Sequence, residues 1–230
     1  MIAENIEKLN KRIENASKKA GRDPSEIKLL AVTKTHLLPI IEEAITHGIE
    51  YIGENRIQEA EQKIPFLKDK IREFHFIGHL QSNKINKLMK LEPALIHSID
   101  KQSTARKLNE YLGELQKKQD VLIQVNTSAE TSKFGIDPQE TLSFVREIAK
   151  LENLQIMGLM TIGMFTSDET IIRKCFQTLH RLFEEIKQEN IPGVKMKFLS
   201  MGMTDDFEIA IEEGANIIRI GSAIFGARNY

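Results

Sequence analysis

Eight short apolar segments alternate with helical patterns along almost the whole chain, and this alternation restricts the fold more than any other feature. The strand patterns lie at 27–33, 50–52, 74–78, 94–99, 121–126, 155–161, 196–201 and 217–220. Helical periodicity fills the gaps near 38–48, 55–70, 82–91, 101–118, 138–150, 168–190 and 205–213. Several strands, such as Leu29-Leu-Ala-Val and Ile217-Ile-Arg-Ile, are nearly continuous apolar runs, which suits parallel strands covered on both faces. Alternation of this sort gives an open doubly wound sheet or a closed barrel. Eight units within 230 residues, with no linker or composition shift to divide them, predict a single α/β domain over 1–230, a (β/α)8 barrel of the TIM type. An extra N-terminal helix over 1–20 carries the apolar stripe Ile2, Ile6, Leu9, Ile13, Ala16 and Ala20. It stops at Gly21, with Pro24 just beyond.

Charge and cysteine content narrow the function classes. With 32 basic and 33 acidic side chains spread along the chain, no block of like charge marks a nucleic-acid or membrane partner. The basic residues of the first helix alternate with Glu4, Glu7 and Glu14, which reads as a solvated face. A single cysteine excludes an internal disulfide framework and fits a reducing compartment. Cys175 falls in the helical stripe Ile171, Cys175, Phe176, Leu179, Leu182, Phe183 and Ile186, which assigns it to packing. The start of the chain lacks the apolar core of a signal peptide, and no apolar run has the length of a membrane span. These features predict a cytoplasmic protein.

In barrels of this kind the chemistry sits at the C-terminal ends of the strands, and phosphate often binds after strands seven and eight. Strand seven here breaks into Ser200, Gly202, Met203 and Thr204, and strand eight into Gly221 and Ser222. Glycine admits close approach of the backbone, hydroxyls donate hydrogen bonds, and free N–H groups at a helix start carry partial positive charge. The competing interpretation makes the glycines turn residues and Thr204 or Asp205 a helix cap, with Glu208 completing a capping box. Asp205 and Asp206 would repel a phosphate and are therefore assigned to capping.

Lys34 closes the buried-looking strand Leu29-Leu-Ala-Val-Thr-Lys34. Partial burial there would favour the neutral amine that attacks an aldehyde, although a lysine at a strand end can also snorkel to solvent. Its combination with a phosphate cradle suggests a phosphorylated aldehyde cofactor held as a Schiff base. Arg219, between Ile218 and Ile220, needs a partner inside the barrel or its mouth, either a ligand or a strand-end acid. The strand ends Gly53-Glu54-Asn55, Gly78-His79, Asn126 and Thr161 supply further rim contacts or caps. His75 and His79 lie on a strand and its exit, where their spacing does not converge, and no metal site is predicted.

Ordered blocks of the chain resemble the pyridoxal phosphate homeostasis protein family. They are Val32-Thr-Lys-Thr35; Gly53-Glu-Asn55 with Gln58-Glu59; Phe74-His-Phe-Ile-Gly-His-Leu-Gln-Ser-Asn-Lys84; and Val125-Asn126 with Glu130-x-x-Lys133-x-Gly135. Gly158-Leu-Met160, Leu199-Ser-Met-Gly-Met-Thr-x-Asp206, Ile209-Ala-Ile-x-x-Gly214 and Arg219-Ile-Gly-x-x-Ile-Phe-Gly-x-Arg228 complete them. The resemblance implies a fold-type III barrel like the cofactor domain of alanine racemase. It implies that pyridoxal 5'-phosphate (PLP) is the cofactor, with Lys34 carrying the internal aldimine and Ser200, Gly221 and Ser222 holding the phosphate. Arg219 would face the pyridine nitrogen, Asn55 would lie beside the cofactor, and Met203 and Thr204 would share the rim. Lys133 resembles a lysine proposed to take part in cofactor handover. Arg56, His36 and Ile162-Gly163 depart from the family pattern, which bears on rim contacts and partner recognition.

The function implied is a binding protein that buffers PLP and delivers it to PLP-dependent apoenzymes, without catalytic turnover. The alternative is a racemase-like PLP enzyme of weak activity. Two-base racemisation needs an acid/base group on each face of the ring, and one of them comes from a second domain that is not expected beyond Tyr230. For the same reason a monomer is expected. A barrel binding an ordinary sugar or nucleotide phosphate would leave Lys34 and Arg219 without a role.

Overall fold

The computed structural model describes residues 1–226 except 129, 131 and 132. Arg228 of the last family block and Tyr230 lie outside the described residues. The strands are β1 Lys28–Val32, β2 Tyr51–Glu54, β3 Glu73–Phe76, β4 Leu95–Ile99, β5 Gln119–Gln124, β6 Leu154–Met160, β7 Val194–Ser200 and β8 Ile217–Ile220. Each pairs in parallel with the next, and β8 closes on β1 with Leu30 opposite Arg219, so the sheet is a closed barrel. The helices are α1 Ile2–Lys19, α2 Leu38–Thr46, α3 Ile57–Leu67, α4 Ile85–Met89, α5 Gln102–Glu114, α6 Thr141–Ile148, α7 Glu169–Gln188, α8 Phe207–Glu212 and α9 Ser222–Phe225.

Side-chain alternation along each strand divides the interior from the outer core. In β8, Ile218 and Ile220 pack outward beneath the helices, whereas Ile217 belongs to an inner cluster with Leu30, Leu95, Leu122, Met157 and Met160. Arg219 takes the inward position of the same strand and is buried. The barrel interior therefore holds apolar side chains together with polar ones from β3, β4, β7 and β8.

Two predicted elements are adjusted. The pattern at 82–91 divides into a single 3-10 turn, Ser82–Lys84, followed by the short α4. In α7 the buried stripe includes Ile172, while Ile171 is exposed, because Ile171 falls one position off the packed face. Cys175 is buried on that face, and its thiol donates to the Thr127 carbonyl at 3.3 Å.

α1 packs against α8, α9 and α2 through Ile2, Ile6, Leu9, Ile13 and Ala16, each side chain contributing about 1.5–3 kcal/mol where a large aliphatic group is fully buried. Its polar face is partly anchored. Arg12 forks onto both carboxylate oxygens of Glu208 at 3.1 and 2.9 Å, and Lys19 reaches Glu212. Glu208 is thus spent on α1, and the capping box read from the sequence does not form.

Candidate functional site

A cavity of about 310 Å3 opens at the C-terminal ends of the strands. Lys34, Asn55, Met203, Thr204, Arg219, Gly221 and Ser222 all line it, so closure of the barrel brings residues 34 and 222 to one wall. Ile77, Met160, Ile162 and Phe165 supply its apolar lining. A cleft of about 480 Å3 on the outer wall is different in kind. Three of its polar side chains are consumed locally: Arg22 donates to the Ile211 and Ala215 carbonyls, His180 pairs with the Glu213 carbonyl, and Asn216 with Leu199 N–H and the Lys197 carbonyl.

Ser200 does not line the cavity, which corrects its assignment as a phosphate-holding hydroxyl. It is the last residue of β7, fully buried and pointed inward. Its Oγ lies 2.7 Å from Arg219 Nη1 and 2.9 Å from His97 Nδ1. His97 Nε2 lies 2.9 Å from His75 Nδ1, and His75 Nε2 lies 2.8 Å from Glu73, which Lys28 also contacts at 2.8 Å. The proton positions follow from the chemistry of the ends. The His75 bond, outweighing burial and helped by Lys28, pulls the Glu73 carboxyl down to about 2, so it can only accept. Burial lowers both imidazoles, which are therefore neutral. His75 must then donate through Nε2, His97 must donate through Nε2 to His75 Nδ1, Ser200 must donate to His97, and Arg219 must donate to Ser200. One directional chain runs from the mouth cavity to the strand N-termini.

Arg219 completes its buried polar contacts through Nη2, which donates to the Thr161 carbonyl at 2.7 Å. Burial brings its guanidinium down to about 10, with Asp206 acting in the opposite direction, and it remains charged at neutral pH. The ion-pair alternative for Arg219 is thus only partly realised, since its direct acceptors are a hydroxyl and a carbonyl.

The hydroxyls of Ser222 and Thr204 are 3.0 Å apart at the rim, joining the exits of β8 and β7. Asp206 accepts from Met203 N–H at 2.5 Å, tying the loop before α8; burial nevertheless raises its carboxyl. Asp205, assigned to capping from the sequence, instead lines the cavity. Gly202 has φ +94, and a Cβ there would meet Ala210 at 2.6 Å, so α8 packing requires the glycine. At Gly221 a Cβ would meet nothing closer than 3.4 Å, so packing of the chain itself does not require glycine.

On the opposite rim, Asn55 Oδ1 is buried with no partner among the described residues. Its carbonyl lies against Gly78, where a Cβ would approach to 1.9 Å. Lys133 does not line the cavity; it pairs with Glu130 at 2.6 Å and donates to the Gly163 carbonyl at 3.0 Å. Asn126 is used within its own loop, on Ser128 and the Glu130 carbonyl. His79 stacks on Phe134 with ring centroids 4.0 Å apart and lies 3.6 Å from Asp100. No group of three His, Cys, Asp or Glu converges as a metal site among the described residues.

The sequence reading missed His75 and His97 as partners of one another and of Ser200. The signal available was the one that singled out Arg219, a polar residue at an inward position of an apolar strand.

Residues 4–229 match the model of the alanine racemase N-terminal domain. The pyridoxal phosphate homeostasis protein of Aquifex aeolicus is 39% identical over 227 residues, covering 99% of this chain and 98% of the relative. The structure of PipY from Synechococcus elongatus with PLP bound is 32% identical, with a TM-score of 0.84 and coverage of 98% of this chain and 100% of that one. Alanine racemase from Corynebacterium glutamicum shares the fold at 16% identity, with a TM-score of 0.72; the match covers 99% of this chain and 61% of the racemase.

Proposed function

The chain belongs to the pyridoxal phosphate homeostasis protein family, and we propose that it holds PLP in the mouth cavity with the Lys34 amine joined to the cofactor aldehyde. The observation that carries this reading is the convergence of Lys34, Arg219 and the Ser222–Thr204 hydroxyl pair on one cavity of about 310 Å3. The residues fit such a group. The cavity offers an amine, a cation, hydroxyl donors and, at Asn55 Oδ1, a buried acceptor that no group among the described residues satisfies. When bound, PLP supplies an electrophilic aldehyde and an aromatic ring able to withdraw electrons.

Lys34 Nζ would be the amine joined to the aldehyde carbon, with loss of one water. Ser222 and Thr204, with the backbone at Gly221, would hold the phosphate. Arg219 is a donor-only cation and would keep the ring nitrogen in its acceptor form, which would weaken the ring as an electron sink. That arrangement suits storage better than turnover. We infer that the protein buffers PLP and hands it to PLP-dependent apoenzymes, acting as a cytoplasmic monomer without catalytic turnover. No helix among the described residues is long and apolar enough to cross a membrane.

The test is borohydride reduction of the PLP-loaded protein, followed by peptide mapping, with Lys34→Ala alongside. Label on Lys34, and loss of the visible absorption band in a folded Lys34→Ala variant, supports the reading. A protein that takes up no colour from added PLP, or label on Lys133 instead, overturns it. Racemisation of alanine at rates of about 1 s⁻¹ or more would overturn the assignment as a holder and not an enzyme.

A further inference from the structure

Lys34 sits between two residues whose backbones are both gripped from outside its own loop. On one side Thr33 is fully buried; its hydroxyl donates to Glu54 Oε1 at 2.5 Å, and its carbonyl accepts from Lys63 Nζ at 2.8 Å. On the other side Thr35 N–H donates to Glu59 Oε2 at 2.6 Å. The two grips are joined, because Lys63 Nζ also donates to Glu54 Oε1 at 2.8 Å and to Glu59 Oε2 at 2.9 Å. An ammonium has three N–H groups, and these three acceptors use all of them.

The grip holds an unfavourable conformation. Thr35 has φ +68, in the left-handed region that a β-branched residue rarely adopts. Backbone strain of this kind persists only where the surroundings impose it, and it clusters at functional sites. Here the surroundings are also costly: Lys63 is 7% exposed and Glu54 0%, and Glu54 Oε2 is buried with no partner among the described residues. Burial raises the Glu54 carboxyl even against Lys63 and Thr33. Burial also pushes Glu59 up, but Thr35 N–H and Lys63 outweigh it and hold that carboxylate low. A merely structural contact between α3 and β1 could be made by apolar side chains at less cost.

We propose that Glu54, Glu59 and Lys63 are positioning residues for Lys34, holding the backbone on both sides of it so that its amine is presented to the cavity. This rests on the reading of Lys34 as the point of cofactor attachment. Lys63 itself is not placed as an alternative nucleophile, since its nitrogen is engaged by three acceptors and it does not line the cavity. Glu59 and Lys63 do not line the cavity, so they act through the loop.

The experiment compares wild type, Glu59→Ala and Thr35→Gly/Glu59→Ala as full chains. Three quantities are read: amide exchange at Thr35 in the ligand-free protein, the rate of borohydride-trapped attachment of PLP at Lys34, and affinity for pyridoxine 5'-phosphate, which has the phosphate and ring but no aldehyde. In Glu59→Ala, Thr35 exchange is expected to rise and attachment to slow, each by about tenfold or more, with analogue affinity within about twofold of wild type, because misplacement penalises the reacting atom most. Thr35→Gly is expected to restore much of the attachment rate, since glycine takes positive φ without steric cost. Unchanged exchange and rate in Glu59→Ala, or attachment and analogue affinity falling in parallel, would overturn the proposal. If Glu59→Ala unfolds, Glu59→Met, which fills similar space but offers Thr35 N–H no carboxylate acceptor, carries the same comparison. Should wild type label elsewhere than Lys34, the attachment reading fails by itself, and Thr35 exchange still decides whether the clamp exists.

Discussion

Arg219 donates to Ser200 across 2.7 Å, and this one bond joins the mouth cavity to a chain of polar groups that ends at Glu73. Each member is buried or half-buried and its donor role is fixed by its neighbour, so removing any link leaves two groups unsatisfied in low dielectric. Orientation of the guanidinium is therefore set from beneath, before any ligand arrives.

Ser200→Ala tests that arrangement. Arg219 loses an acceptor and His97 loses a donor, an expected loss of about 1–3 kcal/mol of stability for the ligand-free protein. Urea unfolding of wild type and variant measures it. A stability change near zero would show that the chain is not a structural support of Arg219.

Ser222→Ala acts at the rim and not beneath it. Retention of PLP is expected to weaken by about tenfold, the equivalent of one charge-assisted hydrogen bond of about 1.4 kcal/mol, with unphosphorylated pyridoxal affected much less. Parallel titrations with the two aldehydes check this. Equal effects on both would move the phosphate away from the Ser222–Thr204 pair.

Acid sensitivity should begin with the imidazoles. His75 and His97 are lowered by burial from 6.5, so the unfolded chain binds protons that the folded chain refuses, and stability falls as pH drops below about 6.5, by up to about 1.4 kcal/mol per pH unit for each imidazole. Glu73, lowered from 4.5 to about 2, adds stability that is complete above 4.5 and lost between those values. Raised carboxyls such as Glu54 and Asp206 work in the opposite sense and offset part of the loss. Melting temperature against pH is expected to fall more gently below 6.5 in His97→Gln than in wild type.

Gly78→Ala places a methyl 1.9 Å from the Asn55 carbonyl, where β3 and β2 leave the barrel side by side. The backbone must separate, at a cost of about 1–3 kcal/mol or more. Because Asn55 lines the cavity, loss of stability should be accompanied by weaker PLP retention, read by melting with and without the cofactor.

Much of the site was legible because strand ends are legible. A β/α alternation fixes which end of each strand faces the mouth, and Lys34, Asn55, Met203, Thr204, Gly221 and Ser222 follow strand ends directly. Ser200 misled because it is itself the last strand residue, and its inward direction buries the hydroxyl beneath the rim that Met203 and Thr204 form. Asp205 misled through its charge: repulsion of a phosphate argues for a capping role, whereas Asp205 lines the cavity and only Asp206 ties the loop.

The amino-acid sequence by itself determined the barrel, the extra N-terminal helix, and the side of the barrel on which chemistry collects. Those features depend on periodicity and strand polarity, which are local. Only the tertiary structure decided which polar residues meet. His97 and Ser200 are 103 positions apart, and Lys63 reaches Thr33 across 30, contacts set by barrel closure and by how α3 lies over β1 and β2. Hydrophobic patterning specifies that such residues point inward; it carries no information on which inward neighbour will supply the missing donor or acceptor.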